Sequence, residues 1–292
     1  MRDDVTSHII CRDLFKIYKR AGLEVVALRG LDMEVATGEM VAILGSSGSG
    51  KSTLLNILAG LDTPSAGYIK VANRDLLNIS DAGLVMYRRL DVGFVWQVPS
   101  RNLVPYLSAV ENVALPMAIA GVQEQERWSR AIELLNAFGL AGKLDRQPHQ
   151  LSGGEQQRVA IALAIANAPP LILADEPTGE LDTESAAEVF ALLESLNQQL
   201  GVTVVIVTHD VSVVDYVNRV INIRDGKISS ETVVINSGRE KSERRVENYL
   251  VVDKAGRLQL PADVIHRFGV GSRVRLGNRD GYLTIKSEGY SD

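Results

Sequence analysis

At 292 residues and 46% hydrophobic content, the chain can build one generous domain, or a domain with a smaller appendage, around a real core. A formal charge of −5 excludes the broad Lys/Arg excess on which non-specific nucleic-acid binding rests, and the single cysteine, Cys11, excludes an internal disulfide and fits a reducing cytosol. The start, Met1 to His8, lacks a signal-peptide core, and the most apolar runs, Val159 to Ala166 and Val202 to Val207, fall far below the ~20 residues of a membrane span. A soluble chain is expected, reaching any membrane through a partner.

Residues 8–44 read as strands: Ile9 to Lys19, Glu24 to Leu28, a segment at Leu31 to Val35, and the apolar run Met40 to Leu44 after a turn at Thr37-Gly38-Glu39. Next comes Gly45-Ser46-Ser47-Gly48-Ser49-Gly50-Lys51-Ser52, and Thr53 to Leu58 reads as a helix. Strand, glycine-rich loop, helix is the context in which G-x4-G-K-S predicts a phosphate-binding loop. Phosphate oxygens need donors converging from one side, and a loop poor in Cβ atoms lets its backbone N–H groups close around them. The helix N-terminus adds unpaired N–H groups. Lys51 is placed between the terminal phosphates and the Ser52 hydroxyl on Mg2+, so residues 45–53, Thr53 included, are read as a nucleotide site.

Thr63 to Gly67 ends that helix and opens a strand, Tyr68 to Val71. Ser80 to Leu90 is predicted helical, with Ser80 and Asp81 as capping candidates, and Val92 to Trp96 is a buried strand ending at Gln97. From about Ser108 to Lys143 the pattern turns helical; across Gln125 to Phe138, residues Trp128, Ala131, Ile132, Leu134, Leu135 and Phe138 are expected on one face, and Gly139 stops the helix. Beyond Pro148 the chain alternates: helix Gly154 to Asn167, strand Leu171 to Ala174, helix Glu184 to Leu200, strand Thr203 to Val207. That alternation predicts an α/β fold with a mostly parallel sheet flanked by helices. Composition breaks after Ile228, and residues 231–246 are expected to be a charged linker. Residues 247–292 then read as strand, Gly256 turn, strand to Pro261, short helix to Phe268-Gly269, and two strands around Asn278-Arg279-Asp280-Gly281.

Leu171 to Ala174 delivers two adjacent carboxylates, Asp175 and Glu176. In phosphate-loop enzymes the strand-end acid holds the metal, which suits Asp175, and Glu176 can deprotonate the attacking water. Leu151-Ser152-Gly153-Gly154-Glu155-Gln156 is a second anion cradle: a Ser hydroxyl, two glycines and a helix N-terminus. One nucleotide cannot easily use two such cradles from one chain, so the second is read as serving a nucleotide held by another subunit.

On this string the chain resembles the ATP-binding subunits of ABC transporters, over residues 8 to about 230. The resemblance implies a phosphate-loop NTPase core with an antiparallel β subdomain and a helical subdomain at about 106–168; residues 247–292 are read apart from it as a small mostly-β domain. It implies an ATPase using ATP and Mg2+, homodimeric through a nucleotide sandwich, driving a separately encoded permease from the cytoplasmic face of the membrane. By the same resemblance Tyr18 stacks on adenine, Gln97 reaches the metal (with Ser52 and Asp175) and the water, and Ser152, Gly153 and Gly154 form the signature motif. Asp182 of Leu181-Asp182 is the D-loop acid, and His209 after Thr208 contacts the γ-phosphate. Glu176, His209, Gln97 and Lys51 are the catalytic set.

The runs Ala27 to Leu31, Leu54 to Asp62 and Ala174 to Gly179 are similar to the MacB/LolD branch, which implies export or mechanotransmission of macrolide, lipoprotein, peptide or lipid cargo. Three departures stand out: the Gln97 to Leu107 segment is two residues longer, Glu180 replaces Asn, and Leu163 replaces Arg. Val251 to Val264 resembles the SpoVT/AbrB swapped-hairpin domain, which implies dimerisation and, in many members, DNA binding. Seven Lys/Arg against six Asp/Glu over residues 247–292 favour a regulatory dimerisation module over DNA binding.

Overall fold

The computed structural model describes residues 6–20, 22–236, 244–254, 256–267, 274–279 and 282–287. The chain divides into two compact units, Met1–Asn248 and Tyr249–Asp292.

The first unit opens with β1 (Ser7–Arg20) and β2 (Leu23–Ala36), an antiparallel hairpin, followed by β3 (Met40–Leu44) and α1 (Lys51–Leu58). The two strands expected within 24–35 are one. Gly30 at φ +75 lies beside Asp13 at φ +51, and between Leu14↔Leu31 and Phe15↔Arg29 the register slips without ending the strand. β4 (Ala66–Val71) and β5 (Arg74–Asp75) complete a four-stranded antiparallel sheet in the order β2-β1-β4-β5. The helix expected from Ser80 to Leu90 is α2 (Asp81–Met86), capped by the Ser80 hydroxyl, followed by a π turn over Tyr87–Asp91.

Then come β6 (Val92–Val95), α3 (Ala109–Ile119), α4 (Glu124–Ala137), α5 (Gly153–Ile165), β7 (Leu171–Asp175), α6 (Thr183–Leu200), β8 (Thr203–Val207), β9 (Arg219–Arg224), β10 (Lys227–Asn236) and β11 (Arg244–Leu250). The seven-stranded sheet runs β11-β10-β9-β3-β8-β7-β6, parallel from β9 to β6 and antiparallel between β10 and β9. The linker expected at 231–246 is therefore strand at both ends: Glu231–Asn236 continue β10, Arg244 opens β11, and 237–243 lie outside the described residues. Val234 is buried there and Arg219 pairs with Glu231, so pairing onto β9 gives this polar stretch hydrogen-bonded order that its composition does not announce.

The central strands are apolar on both faces because each face meets a separate core. Met40, Ala42, Ile172, Ala174, Val204 and Ile206 face the core shared with α3 to α6, whereas Val41, Ile43, Leu171, Leu173, Val205 and Val207 face the one shared with α1 and the antiparallel sheet. Within α4, Ala131, Leu134, Leu135 and Phe138 are buried as expected, but Ile132 is 38% exposed. One residue is about 100° of helix, which turns Ile132 off the edge of the face centred on Ala131 and Leu135.

In the second unit, Val252 and Leu258 bridge across a turn in which Asp253 Oδ1 accepts the Arg257 N–H at 2.9 Å and Gly256 adopts φ +74. α7 (Ala262–Arg267) follows, then the antiparallel hairpin β12 (Val274–Arg279) and β13 (Tyr282–Ser287). The expected helix end at Phe268-Gly269 and the Asp280-Gly281 turn lie outside the described residues.

Two asparagines fix the segment between β6 and α3. Asn102 Oδ1 accepts the Trp96 N–H at 2.9 Å and its Nδ2 donates to Phe94 O at 2.7 Å. Asn112, fully buried, accepts from Val104 N at 2.7 Å and donates to the carbonyls of Val104, Leu107 and Ser108. Asn112→Ala leaves these groups buried and unpaired, so it should cost about 2–3 kcal/mol and lower the chemical denaturation midpoint; an unchanged midpoint would mean the segment is not held this way.

Candidate nucleotide site

The phosphate loop is pinned at both ends by close backbone approaches. A Cβ on Gly45 would lie 2.3 Å from Ile223 O at the end of β9, and one on Gly50, at φ +104, would lie 2.5 Å from Ala27 O in β2. Those contacts leave room only for glycine. The Gly226 N–H donates to Ser49 O at 3.0 Å, tying the loop to the β9–β10 turn. Lys51, 8% exposed, donates through Nζ to Gly45 O at 2.8 Å and Ser46 O at 3.1 Å, so the cation is held over the loop that should receive a phosphate.

The parallel strands deliver the remaining groups to the same edge. β7 ends in Asp175, whose Oδ1 accepts from Ser52 Oγ at 3.2 Å. Burial pushes the Asp175 carboxyl above its ordinary range and Glu176 adds to this, while the Ser52 hydrogen bond and the cations of Lys51 and Arg101 oppose it. Glu176 adopts φ +49, a region non-glycine residues rarely occupy, with its N–H bonded to Val207 O at 2.7 Å. That backbone turns its side chain toward β8. Glu176 Oε2 accepts the His209 N–H at 3.1 Å and lies 2.9 Å from His209 Nδ1. Gln97 is exposed just beyond β6, and its Nε2 closes to within 2.9 Å of where a Cβ on Gly179 would stand.

Together these residues line a cleft of about 500 Å3 that includes Gly45, Ser47, Gly48, Gly50, Lys51, Ser52, Thr53, Gln97, Glu176 and His209. Asp175 borders it through Ser52, while Ser46 and the buried Ser49 shape the loop. Tyr18 stands outside this lining, its hydroxyl bonded to Asp62 Oδ2 at 2.7 Å and its ring 38% exposed.

Ser152, Gly153, Gly154 and Asp182 are not brought to this cleft. Ser152 caps α5, its Oγ accepting from Glu155 N at 3.3 Å while Glu155 Oε2 accepts the Ser152 N–H at 2.8 Å. Glu155 is held below the usual carboxylate range, by that backbone bond first and by Lys143 as well. Ser152 and Gly153 are exposed, and a Cβ on Gly154 would lie 3.1 Å from Ser185 Oγ. Asp182 caps α6 through the Ser185 N–H at 2.9 Å and is itself exposed.

Sequence reasoning passed over Val25, Val26 and Ala27, which also line the cleft. Apolar residues in a strand look like core, and no local signal separates them. It also passed over Arg101, stacked 5.5 Å from the Trp96 ring centroid and acting on Asp175. Its signal was the lengthened segment that carries it.

The family model described as ABC transporter matches residues 28–179, more than half of the chain. The chain belongs to the ABC transporter family. This ABC cassette is 43% identical over 219 residues to the lipoprotein-releasing system ATP-binding protein LolD of Geobacter metallireducens, covering 75% of this chain and 96% of that one. It is 44% identical over 223 residues to the macrolide export ATP-binding/permease protein MacB of Syntrophobacter fumaroxidans, covering 76% of this chain but 31% of that one. Among solved structures, a dimeric ATP-binding cassette in a post-hydrolysis state with ADP and phosphate superposes with a TM-score of 0.71 at 41% identity, covering 76% of this chain and 97% of that one. The cassette is thus an ABC-type ATPase on the MacB/LolD branch, with the mixed sheet, antiparallel β subdomain and helical subdomain of that fold.

Gly45→Ala forces its methyl into Ile223 O, so the cassette should lose more than about tenfold in ATP affinity through a displaced loop. Titration with a fluorescent ATP analogue measures this, and wild-type affinity would show that the loop does not depend on the approach.

Proposed function

We propose that two copies of this cassette close head to tail on two molecules of ATP, the phosphate loop of each facing Ser152–Gly154 of the other. One observation carries the reading: within one chain the Ser152 helix terminus is exposed and contributes nothing to the cleft that holds Lys51 and Glu176. A capped N-terminus with two glycines is built for an anion. A second copy supplies it. The dimeric state of the superposed cassette supports this arrangement.

The donor set fits a hard divalent cation, since Ser52 and Asp175 offer hydroxyl and carboxylate oxygens 3.2 Å apart and Gln97 an amide oxygen nearby. Those three would hold Mg2+, which supplies Lewis-acid neutralisation of phosphate charge. Lys51 exchanges its two loop carbonyls for phosphate oxygens. Glu176 accepts the proton of the attacking water, and the His209 N–H fixes the carboxylate that does so. His209 and Ser152 of the second copy bind the transferring phosphoryl, work that is chiefly electrostatic. Thr53 and Asp182 border the nucleotide on the two sides, and the Tyr18 ring is its base platform.

No helix among the described residues is long and apolar enough to cross a membrane. From its likeness to the lipoprotein-releasing ATP-binding protein we place the cassette on the cytoplasmic face, bound to a separately encoded permease. A second cleft, of about 430 Å3, opens beside Gln97 and is the docking place we assign to that permease. It is lined by Trp96, Arg101, Asn102, Ile119 and Leu163 among others, so two of the three departures from the branch pattern fall on it. A permease of its own would impose such changes. The branch favours export or mechanotransmission. The C-terminal unit, resembling a SpoVT/AbrB domain, is assigned to self-association; Val252, Leu258, Val274 and Leu276 are exposed apolar residues suited to that role.

Glu176→Gln should leave ATP binding intact, lower turnover by at least about a hundredfold, and accumulate an ATP-bound dimer. Ser152→Ala should also bind ATP, but neither hydrolyse it nor dimerise. Hydrolysis at the wild-type rate in either variant, with size-exclusion chromatography as the second readout, would overturn its assignment. Purification of the tagged full chain from detergent-solubilised native membranes should recover a multi-span permease, and Arg101→Glu should lose it. Recovery only with DNA, in a salt-sensitive manner, would refute the transporter role.

A further inference from the structure

Past the far end of the helix that follows the phosphate loop, Tyr18 belongs to a polar cluster whose other members the catalytic scheme leaves unused. The Tyr18 hydroxyl donates to Asp62 Oδ2 at 2.7 Å. The other carboxylate oxygen, Oδ1, accepts from Lys16 Nζ at 2.5 Å and from the Thr63 N–H at 2.8 Å. Lys16 also donates to Thr63 O at 2.8 Å, and its ammonium stands 4.8 Å from the Tyr18 ring centroid. The Lys16 side chain is 11% exposed and that of Asp62 25%, so this pair is shielded enough to hold one geometry. Burial alone would raise the Asp62 carboxyl, but the bonds from Lys16, Tyr18 and Thr63 hold it below its ordinary value.

The cluster is anchored to the helix that begins at Lys51. Leu61 and Asp62 both donate their N–H groups to Asn56 O in α1, at 2.8 and 3.2 Å. One turn further on, Ser65 Oγ accepts the Ile17 N–H at 2.9 Å and Ser65 N donates to Phe15 O at 2.8 Å. The segment from Asp62 to Ser65 therefore clamps β1 from Phe15 to Tyr18. Lys16 lies over one ring face, and the exposed part of the ring is what remains for a base.

We infer that Asp62 and Lys16 are positioning residues for nucleotide binding: they hold the Tyr18 ring in one orientation, at a distance from the phosphate loop set by α1. The inference rests on the reading of Tyr18 as the base platform. A ring with its hydroxyl committed and one face covered by a cation offers a single rigid surface for stacking, so less entropy is lost when the base arrives. The Tyr18 hydroxyl, spent on Asp62, is not available to read the base edge.

The test compares ATP with inorganic triphosphate, which has no base, by titration of the full chain. Tyr18→Ala should weaken ATP about tenfold and leave triphosphate within about twofold, since stacking acts on the base alone. Asp62→Ala, and Tyr18→Phe, which removes only the hydroxyl, should each weaken ATP about three- to tenfold with triphosphate unchanged. The double variant Tyr18→Phe with Asp62→Ala should lose less than the sum of the two single losses, because both remove the Tyr18–Asp62 bond, while the hydroxyl also meets Thr53. If Tyr18→Ala weakens ATP while Asp62→Ala and Tyr18→Phe do not, the positioning role is wrong and the platform stands. If Tyr18→Ala leaves ATP binding unchanged, the platform reading fails and the inference with it. Equal losses for both ligands in Asp62→Ala would overturn the inference in favour of a general structural role.

Discussion

The approach of the phosphate loop to two neighbouring backbones sets the geometry of everything around it. Gly45 meets the end of β9 and Gly50 meets β2 at distances no Cβ tolerates, so the loop sits where the parallel sheet and the antiparallel sheet both touch it. Strand β3 lies between β8 and β9, and its residues feed two cores in alternation. The loop therefore inherits the rigidity of the most buried part of the molecule. Lys51 and Ser52 follow it onto α1 and take their positions from it.

Parallel strands put their carboxyl ends at one edge, and that is why residues spread from Gly45 to His209 come together in one site. β3, β6, β7 and β8 end in or just before Gly45, Gln97, Asp175 and His209. The two adjacent acids are separated by their surroundings. Asp175 is drawn toward Ser52 and carries the penalty of burial, whereas the left-handed backbone at Glu176 swings that carboxylate onto His209. Adjacent residues thereby face different partners, one the Ser52 hydroxyl and the other His209.

The antiparallel sheet does a different job. It stands Tyr18 off from the cleft and ties it through Asp62 to the far end of the helix that begins at the phosphate loop. The helical part carries α5, whose capped terminus stays exposed, and the cleft beside Gln97, where the lengthened segment and Leu163 come together.

The chemistry of the site was legible in the sequence because its motifs are contiguous and each has a local cause. A strand, six loop residues rich in glycine and a helix suffice to describe a phosphate cradle, and an apolar strand ending in two acids describes the carboxylates delivered to its edge. Strand and helix identities followed from periodicity for the same reason, with small failures where the period was pushed too far, as at Ile132. The polar stretch at 231–246 misled because composition reports what a segment can bury, not which sheet edge is open to its backbone. Tertiary structure alone decided that Val25, Val26 and Ala27 wall the cleft, that Arg101 stacks on Trp96, and that Lys16, Tyr18 and Asp62 form one unit. Those groupings depend on cross-strand register and on where α1 ends, which are properties of packing between distant segments. The sequence by itself determined that Lys51, Ser52, Gln97, Glu176 and His209 stand at the ends of strands and in the glycine-rich loop, which the fold gathers in one cleft; the fold decided which residues hold them in place, because holding is done by neighbours in space rather than along the chain.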